Sequence, residues 1–193
     1  MTRLLLIHAG PTPWDAENRV VGANSLPLTE DARIALAARV GTIAELVDAI
    51  YTCDANEACK EAAGMLEEKF GVRVRDKPEL GEVRLGLWEG MTRDELEHRF
   101  ETVFPMWHEQ PLAVTPPDGE SLPEAIDRMR PVVRKIVRRH RGGVVAIVLR
   151  PLAMQIVAGL LRGEDPPGIA AHLHGIEMME TMELSDEQVE SII

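Results

Sequence analysis

Two short apolar runs constrain the fold most strongly, because neither contains a polar residue: Leu4–Ile7 and Val144–Leu149. Such runs are typical of strands covered on both faces, as in a parallel sheet flanked by helices. Segments with the apolar period of helices lie between and after them, at Thr29–Leu46, Asn56–Phe70, Ser121–Arg141 and Pro151–Leu161. This alternation of strands and helices predicts an α/β fold with a mostly parallel central sheet and helices on both faces.

Shorter segments complete the pattern. Further strands are predicted at Asp48–Cys53, at Val72–Val74 and, on an edge of the sheet, at Met179–Leu184. Short helices are predicted at Thr92–Phe100 and Phe104–Gln110. Pro11 and Pro13 predict an extended loop after the first strand, and three glycines predict irregular structure over Leu80–Gly90. A chain of 193 residues with no clear internal boundary predicts one domain, residues 1–193.

Composition excludes several classes of function. The net charge of −11 argues against general nucleic-acid binding, which needs a basic face. No apolar run approaches the length of a membrane span, so no membrane association is expected. The two cysteines, Cys53 and Cys59, are too few for a disulfide scaffold and indicate a reducing, cytoplasmic location. Glycine fingerprints for nucleotides are absent, and we expect no cofactor.

Candidate site residues lie where strands end, because ligands of such sheets bind at the carboxyl ends of strands. His8 and Arg150 directly follow the two apolar runs. His8 is either a hydrogen-bonded core histidine or a working group, and Arg150 is either an ion-pair partner or an anion ligand. Glu82, in the glycine-rich segment, is either solvated or a general acid or base. Arg19 is open to the same two interpretations as Arg150.

Five segments follow one another in a recognisable order: IHAGPTPWDAENRVVGANSLPLTEDAR, IYTCDANEA, LGEVRLGLWEG, PPDGESLPEA and IVLRPL. The Gly-x-Trp-Glu-Gly and Gly-Glu-Ser sequences within them are the most specific. Over nearly its whole length the chain resembles the histidine phosphatase superfamily, the proteins with the phosphoglycerate-mutase-like fold. In that family a first strand ending in Arg-His-Gly-x-Thr presents the histidine that takes up the phosphoryl group.

The resemblance also implies which family positions have changed. Aligned on Gly10 and Thr12, the nucleophile position is Ala9 and the preceding arginine position is His8. At three further positions the family residue is replaced in this chain. Glu57 stands in place of a phosphate-binding arginine, Arg150 in place of a second phosphate-contacting histidine, and Asp15 in place of an asparagine. Glu82, the usual acid/base position, and Arg19 are retained. The resemblance therefore implies a remnant phosphate pocket of His8, Thr12, Asp15, Arg19, Glu57 and Arg150.

A pocket without its nitrogen nucleophile and with a glutamate in place of an arginine is unsuited to phosphohistidine chemistry. We therefore expect a non-catalytic binding or regulatory protein that acts through a protein partner or a small ligand, neither of them identifiable from the sequence. The alternative is a phosphomonoesterase with an unusual site built from His8, Glu82 and Arg150. For the remnant itself, one hypothesis is a divalent metal or cationic ligand held by His8, Asp15, Glu57 and Glu82. The other is an internal ion pair between Glu57 and Arg150 or Arg19.

Overall fold

The computed structural model describes residues 1–172 and 178–191. Its central sheet has the strand order β3-β2-β4-β1-β5. The strands are β1 Thr2–His8, β2 Ala49–Thr52, β3 Val74–Asp76, β4 Val144–Leu149 and β5 Met179–Leu184. β1 to β4 are mutually parallel, and β5 runs antiparallel to β1 along one edge. The predicted mostly parallel sheet, with an edge strand at Met179–Leu184, is confirmed.

Helices connect the strands and cover the sheet on both faces. They are α1 Pro13–Ala16, α2 Glu30–Thr42, α3 Glu57–Phe70, α4 Arg93–Arg99, α5 Val103–Glu109, α6 Leu122–Arg139, α7 Pro151–Arg162, α8 Pro166–Ala171 and α9 Asp186–Ser191. Asn56 caps α3 by accepting a hydrogen bond from the amide of Cys59, and Gly71 ends the helix in the left-handed conformation. Ser121 begins α6 with a capping box that includes Glu124.

Two apolar layers follow from the alternation of side chains along β1. Leu4 and Leu6 pack in a cluster that includes the buried faces of α6 and α7. Leu5, Ile7 and Ala9 pack in a second cluster with α2 and α3. The helices therefore lie on both faces of the sheet, as predicted.

The structure corrects three local predictions and adds two short helices. The segment after Pro11 is not wholly extended, because Pro13 occupies the first turn of α1 and Thr12 forms a capping box with Asp15. α2 ends at Thr42 rather than Leu46, and β3 lies at Val74–Asp76 rather than Val72–Val74. The short helices α8 and α9 escaped prediction because each has only 6 residues and no extended apolar period.

Two predictions about the whole chain have different outcomes. No helix among residues 1–172 and 178–191 is long and apolar enough to cross a membrane. The assignment of residues 1–193 to one domain stays a prediction, and residues 173–177 and 192–193 lie outside the described part of the chain.

Candidate functional site: an internal ion pair at the ends of β1 and β4

The ends of the two central strands form the floor of the site. His8 lies opposite Leu149 in the register of β1 and β4, and the amide of Ala9 donates to the Leu149 carbonyl at 2.9 Å. Arg150 follows as the residue that caps α7, with Pro151 in the first turn. The chain thus brings Ala9 and Arg150, which are far apart in sequence, to adjacent strand ends.

The Arg150 side chain points into the protein and is 2% exposed. Its Nη1 donates to the carbonyl oxygen of Gly10 at 2.6 Å, and its Nη2 donates to Asp15 Oδ2 at 3.0 Å and Oδ1 at 3.3 Å. A buried guanidinium is stable only when it is paired and hydrogen-bonded. Asp15 supplies the compensating charge.

Asp15 is held in place from the other side by Thr12. Asp15 Oδ2 accepts hydrogen bonds from the Thr12 amide and from the Thr12 hydroxyl, both at 2.7 Å. Burial by itself would raise the pKa of Asp15, but the charge of Arg150 and the hydrogen bonds from Thr12 and Arg150 outweigh it and lower the pKa. Asp15 is therefore ionised at neutral pH.

His8 is a buried, neutral imidazole. It is 4% exposed, and burial, followed by the charge of Arg150, lowers its pKa from 6.5 to about 4. Within the described part of the chain neither ring nitrogen has a hydrogen-bond partner. By strand alternation His8 shares the sheet face of Leu4 and Leu6, opposite that of Ala9. His8 therefore does not occupy the place that a side chain at position 9 would take.

Glu82 binds the start of α7. Its carboxylate accepts hydrogen bonds from the amides of Leu152 and Ala153, both at 2.9 Å, and from its own neighbour Val83 at 2.7 Å. Burial raises the pKa of Glu82, although these hydrogen bonds and Arg150 oppose the shift. The alternative that Glu82 is a solvated side chain is wrong, because only 7% of it is exposed.

The loop that carries Glu82 is anchored by Arg128 of α6. Arg128 Nη1 donates to the Glu79 carbonyl at 2.7 Å, and Nη2 donates to the Glu82 carbonyl at 3.0 Å. The same guanidinium pairs with the buried Glu120, at 2.7 Å. The position of Glu82 is thus fixed by a network that no local sequence pattern indicates.

Glu57 lies apart from the Arg150–Asp15 pair. Its side chain is exposed and lines an open cavity of about 530 Å³ with Ser25, Asp54 and Lys60. Its carboxylate forms no hydrogen bond or ion pair with any described residue, so the predicted pairing of Glu57 with Arg150 or Arg19 is wrong. The reason is that Asp15, on the loop leaving β1, reaches the guanidinium instead.

Arg19 also lies outside the ion pair. Its Nε donates to Glu17 at 2.8 Å and its Nη1 to the Gly90 carbonyl at 2.7 Å, and the side chain is 35% exposed. It joins the loop after α1 to the segment that follows Trp88. Of the predicted remnant, the structure brings together Thr12, Asp15 and Arg150 with His8 nearby, and it leaves Arg19 and Glu57 elsewhere.

The start of α3 has no free amide for an anion. The amide of Glu57 donates to the Ser25 hydroxyl at 2.9 Å, that of Ala58 to the Leu26 carbonyl at 3.0 Å, and that of Cys59 to Asn56 at 3.1 Å. Among the residues that the structure describes, no three potential metal ligands converge. The hypothesis of a metal held by His8, Asp15, Glu57 and Glu82 therefore finds no support in the geometry.

Sequence reasoning missed two groups that shape the site: the Gly10 carbonyl and the amides of Leu152 and Ala153. A signal for the amides was present, because Pro151 marks the first turn of a helix, where amides have no intrahelical partners. No comparable signal marks the Gly10 carbonyl.

Comparisons with known proteins agree with this architecture. The model of the histidine phosphatase superfamily (branch 1) matches residues 4–188. Phosphoserine phosphatase 1 of Hydrogenobacter thermophilus is 24% identical over 86% of this chain and 78% of that protein. The probable phosphoglycerate mutase GpmB of Serratia proteamaculans is 28% identical over 84% of this chain and 76% of that protein.

Solved structures give the same result for the fold. Bacillus stearothermophilus YhfR superposes with a TM-score of 0.81 at 26% identity, covering 96% of this chain and 93% of that one. The alpha-ribazole phosphatase from Shigella flexneri has a TM-score of 0.83 at 17% identity, covering 96% and 92%, which is a likeness of fold alone. The resemblance to phosphoglycerate-mutase-like proteins is confirmed.

Proposed function

Because this chain belongs to the histidine phosphatase superfamily, we propose that it is a member without phosphohistidine chemistry that acts by binding. One observation carries the proposal: the buried Arg150 guanidinium is paired with Asp15 of the same chain. The negative charge beside Arg150, which the resemblance would assign to a substrate phosphate, comes from the carboxylate of Asp15. What the protein binds, a partner protein or a small ligand, is left open by the proposal.

The lack of a nucleophile supports the proposal. Ala9 has no nitrogen to accept a phosphoryl group, and its methyl group packs in the cluster shared with α2 and α3. His8 lies on the other face of the strand and is uncharged at neutral pH. Loss of the covalent nucleophile alone lowers turnover by about a millionfold in subtilisin, a serine protease in which this was measured.

The arrangement around the pocket supports it as well. Glu57 stands where the resemblance implies a cation and is an exposed anion, and the first amides of α3 are all engaged within the chain. A phosphoryl group in transfer needs cations and amide donors around its oxygens. Glu82, the acid/base position, already accepts three amide hydrogen bonds.

The alternative is a phosphomonoesterase that uses His8, Glu82 and Arg150. One observation favours it: both His8 nitrogens are buried without a partner among the described residues, so one of them is available as a nucleophile or base. Against it stands the engagement of Arg150 and Glu82 with groups of the chain itself.

The test is turnover of an aryl phosphate and a panel of phosphate monoesters from mildly acidic to neutral pH. We expect no activity above background. The controls are Glu82→Gln and His8→Gln, since an activity that survives both substitutions belongs to a contaminant. A turnover of about 1 s⁻¹ or more, within the ordinary range of enzymes, that both substitutions abolish would overturn the proposal and establish the alternative.

A cytoplasmic location and action through a partner protein or a small ligand are parts of the proposal. Two buried free thiols, Cys53 and Cys59, support the location. Purification of the tagged protein from its native cells, with a tag-only control, tests the partner. Recovery of the protein alone at native expression levels, together with no ligand in its mass spectrum, would contradict a binding role.

A further inference from the structure

One oxygen of Asp15 lies at the convergence of three hydrogen-bond donors. Asp15 Oδ2 accepts from the Thr12 amide at 2.7 Å, from the Thr12 hydroxyl at 2.7 Å and from Arg150 Nη2 at 3.0 Å. Among the described residues, the other oxygen, Oδ1, has one partner, Arg150 Nη2 at 3.3 Å. Charged and neutral donors that meet on one oxygen make an arrangement that stabilises an oxyanion.

The two halves of the pair differ in their access to water. The Arg150 side chain is 2% exposed, whereas that of Asp15 is 33% exposed. Arg150 Nε is buried and has no hydrogen-bond partner in the described part of the chain. The cation is thus fixed in the protein, while the position of the anion opens to solvent and can be reached by a small molecule.

We infer that Arg150 and Thr12 form a small-oxyanion site that the carboxylate of Asp15 occupies from within the chain. A free carboxylate or phosphate oxygen binds there only when the Asp15 carboxylate is absent. The inference rests on the proposed function, since it treats this place as filled and not as a substrate pocket in use. It adds an anion-binding site made of Arg150 and Thr12, in which the Asp15 carboxylate is the ligand.

The experiment removes the internal ligand and supplies an external one. Asp15→Ala deletes the carboxylate and leaves the three donors, so that an oxyanion can take its place. The quantities to measure are the melting temperature and the calorimetric affinity for formate, acetate and phosphate, with sodium chloride at equal ionic strength as the reference. We expect each anion to bind the variant at least about tenfold more tightly than the wild type and to raise its melting temperature.

Two matched variants separate site binding from a change in net charge. Glu17→Ala removes one negative charge two positions along the chain, from an exposed side chain that pairs with Arg19. It should bind anions no better than the wild type. The double variant Asp15→Ala/Arg150→Met lacks the cation and should lose the gain in affinity.

Three results would overturn the inference: no gain in Asp15→Ala, an equal gain in Glu17→Ala, or a gain that persists in the double variant. Should Asp15→Ala fail to fold in chloride, its refolding yield in formate or phosphate becomes the measurement. A yield that does not depend on the oxyanion would then refute the site. Because no substrate is turned over in these assays, their failure is distinct from the discovery of phosphatase activity in the wild type.

Discussion

At the scale of single residues, the buried charge of Arg150 accounts for the carboxylate at position 15. A histidine at position 150 could remain neutral when buried, but an arginine stays charged in every protein environment. It therefore needs an anion within hydrogen-bond distance, and the carboxylate of Asp15 meets this need where an asparagine would not. The resemblance implies an asparagine and a histidine at these two positions, and the need for charge balance is a physical reason why both would differ together.

The buried imidazole of His8 leads to a prediction of how the stability of the protein depends on pH. Its pKa is lowered from 6.5 to about 4 in the folded protein, so the unfolded chain binds more protons between these pH values. Stability contributed by the neutral ring is complete above about pH 6.5 and falls as the pH is lowered towards 4, by about 3 kcal/mol in all. Urea unfolding of the wild type and of His8→Leu from pH 7 to pH 4 measures this loss.

In the His8→Leu variant that part of the pH dependence should disappear. The pKa of His140 is also lowered, first by burial and then by Arg75, but His140 is present in both proteins and cancels in the difference. Equal slopes of stability against pH in the two proteins would show that His8 is not the desolvated group described here.

At the scale of elements, Glu82 connects an irregular loop to the start of α7. The amides of Leu152 and Ala153 lie in the first turn of α7 and have no partner within the helix, and the Glu82 carboxylate accepts a hydrogen bond from each. A negative charge also interacts favourably with the positive end of the helix. The side chain therefore stabilises the junction of β4 and α7 whatever else it does.

We expect Glu82→Ala to lower the free energy of unfolding by about 3 kcal/mol, because buried amides would lose their acceptor. Glu82→Gln should cost less, since an amide oxygen can still accept. Denaturant unfolding gives the stability, and hydrogen exchange at Leu152 and Ala153 locates the effect. The control is Glu79→Ala, an exposed glutamate on the same loop, and equal stability of Glu79→Ala and Glu82→Ala would refute the role.

The elements differ in how far the sequence predicts them. β1 and β4 could be predicted because short, wholly apolar runs followed by a loop or a proline are typical of strands covered on both faces, and α3 because its cap residues and apolar period agree. α1 was missed because Pro11 and Pro13 suggested an extended chain, although Thr12-x-x-Asp15 is a capping signal. The prolines and the capping pattern gave conflicting predictions for this segment, and the capping pattern was correct.

The ion pair could not be predicted in the same way. Arg150 and its partner are 135 positions apart, and the choice between Asp15 and Glu57 depends on the direction that the chain takes after β1. A one-turn helix and one threonine decide this direction. The sequence left Arg150 as either an ion-pair partner or an anion ligand and offered Glu57 as its acid, whereas the tertiary structure pairs it with Asp15.

At the scale of the whole molecule, the positions on which the proposal of a non-catalytic protein rests are spread over elements on both faces of the sheet. Ala9 lies in the layer of α2 and α3, Glu57 begins α3, and Arg150 begins α7 on the other face. Catalytic groups that act as a unit are not restored one at a time. Restoration of activity is therefore a test of the pocket as a whole.

We expect Ala9→His to form no phosphoenzyme. The new imidazole would enter a fully buried position, and Arg150 would remain engaged with Asp15. Incubation with a labelled activated phosphate donor, followed by detection of acid-labile label, is the measurement. The matched variant combines Ala9→His with His8→Arg, Asp15→Asn, Glu57→Arg, Arg150→His and Pro151→Gly. Label on the single variant would mean that the rest of the pocket is still competent.

The hydrogen bonds of Glu82 bear on how chains of this kind are classified. A glutamate retained at this position is easily taken as a sign of preserved catalysis, because it coincides with an acid/base residue. In this structure the carboxylate also stabilises the start of α7, so a structural requirement is enough to retain it whether or not the chain is catalytic. Under the proposed function, positions 9 and 57, where the resemblance implies a histidine and an arginine, are therefore better indicators of activity than the glutamate at position 82.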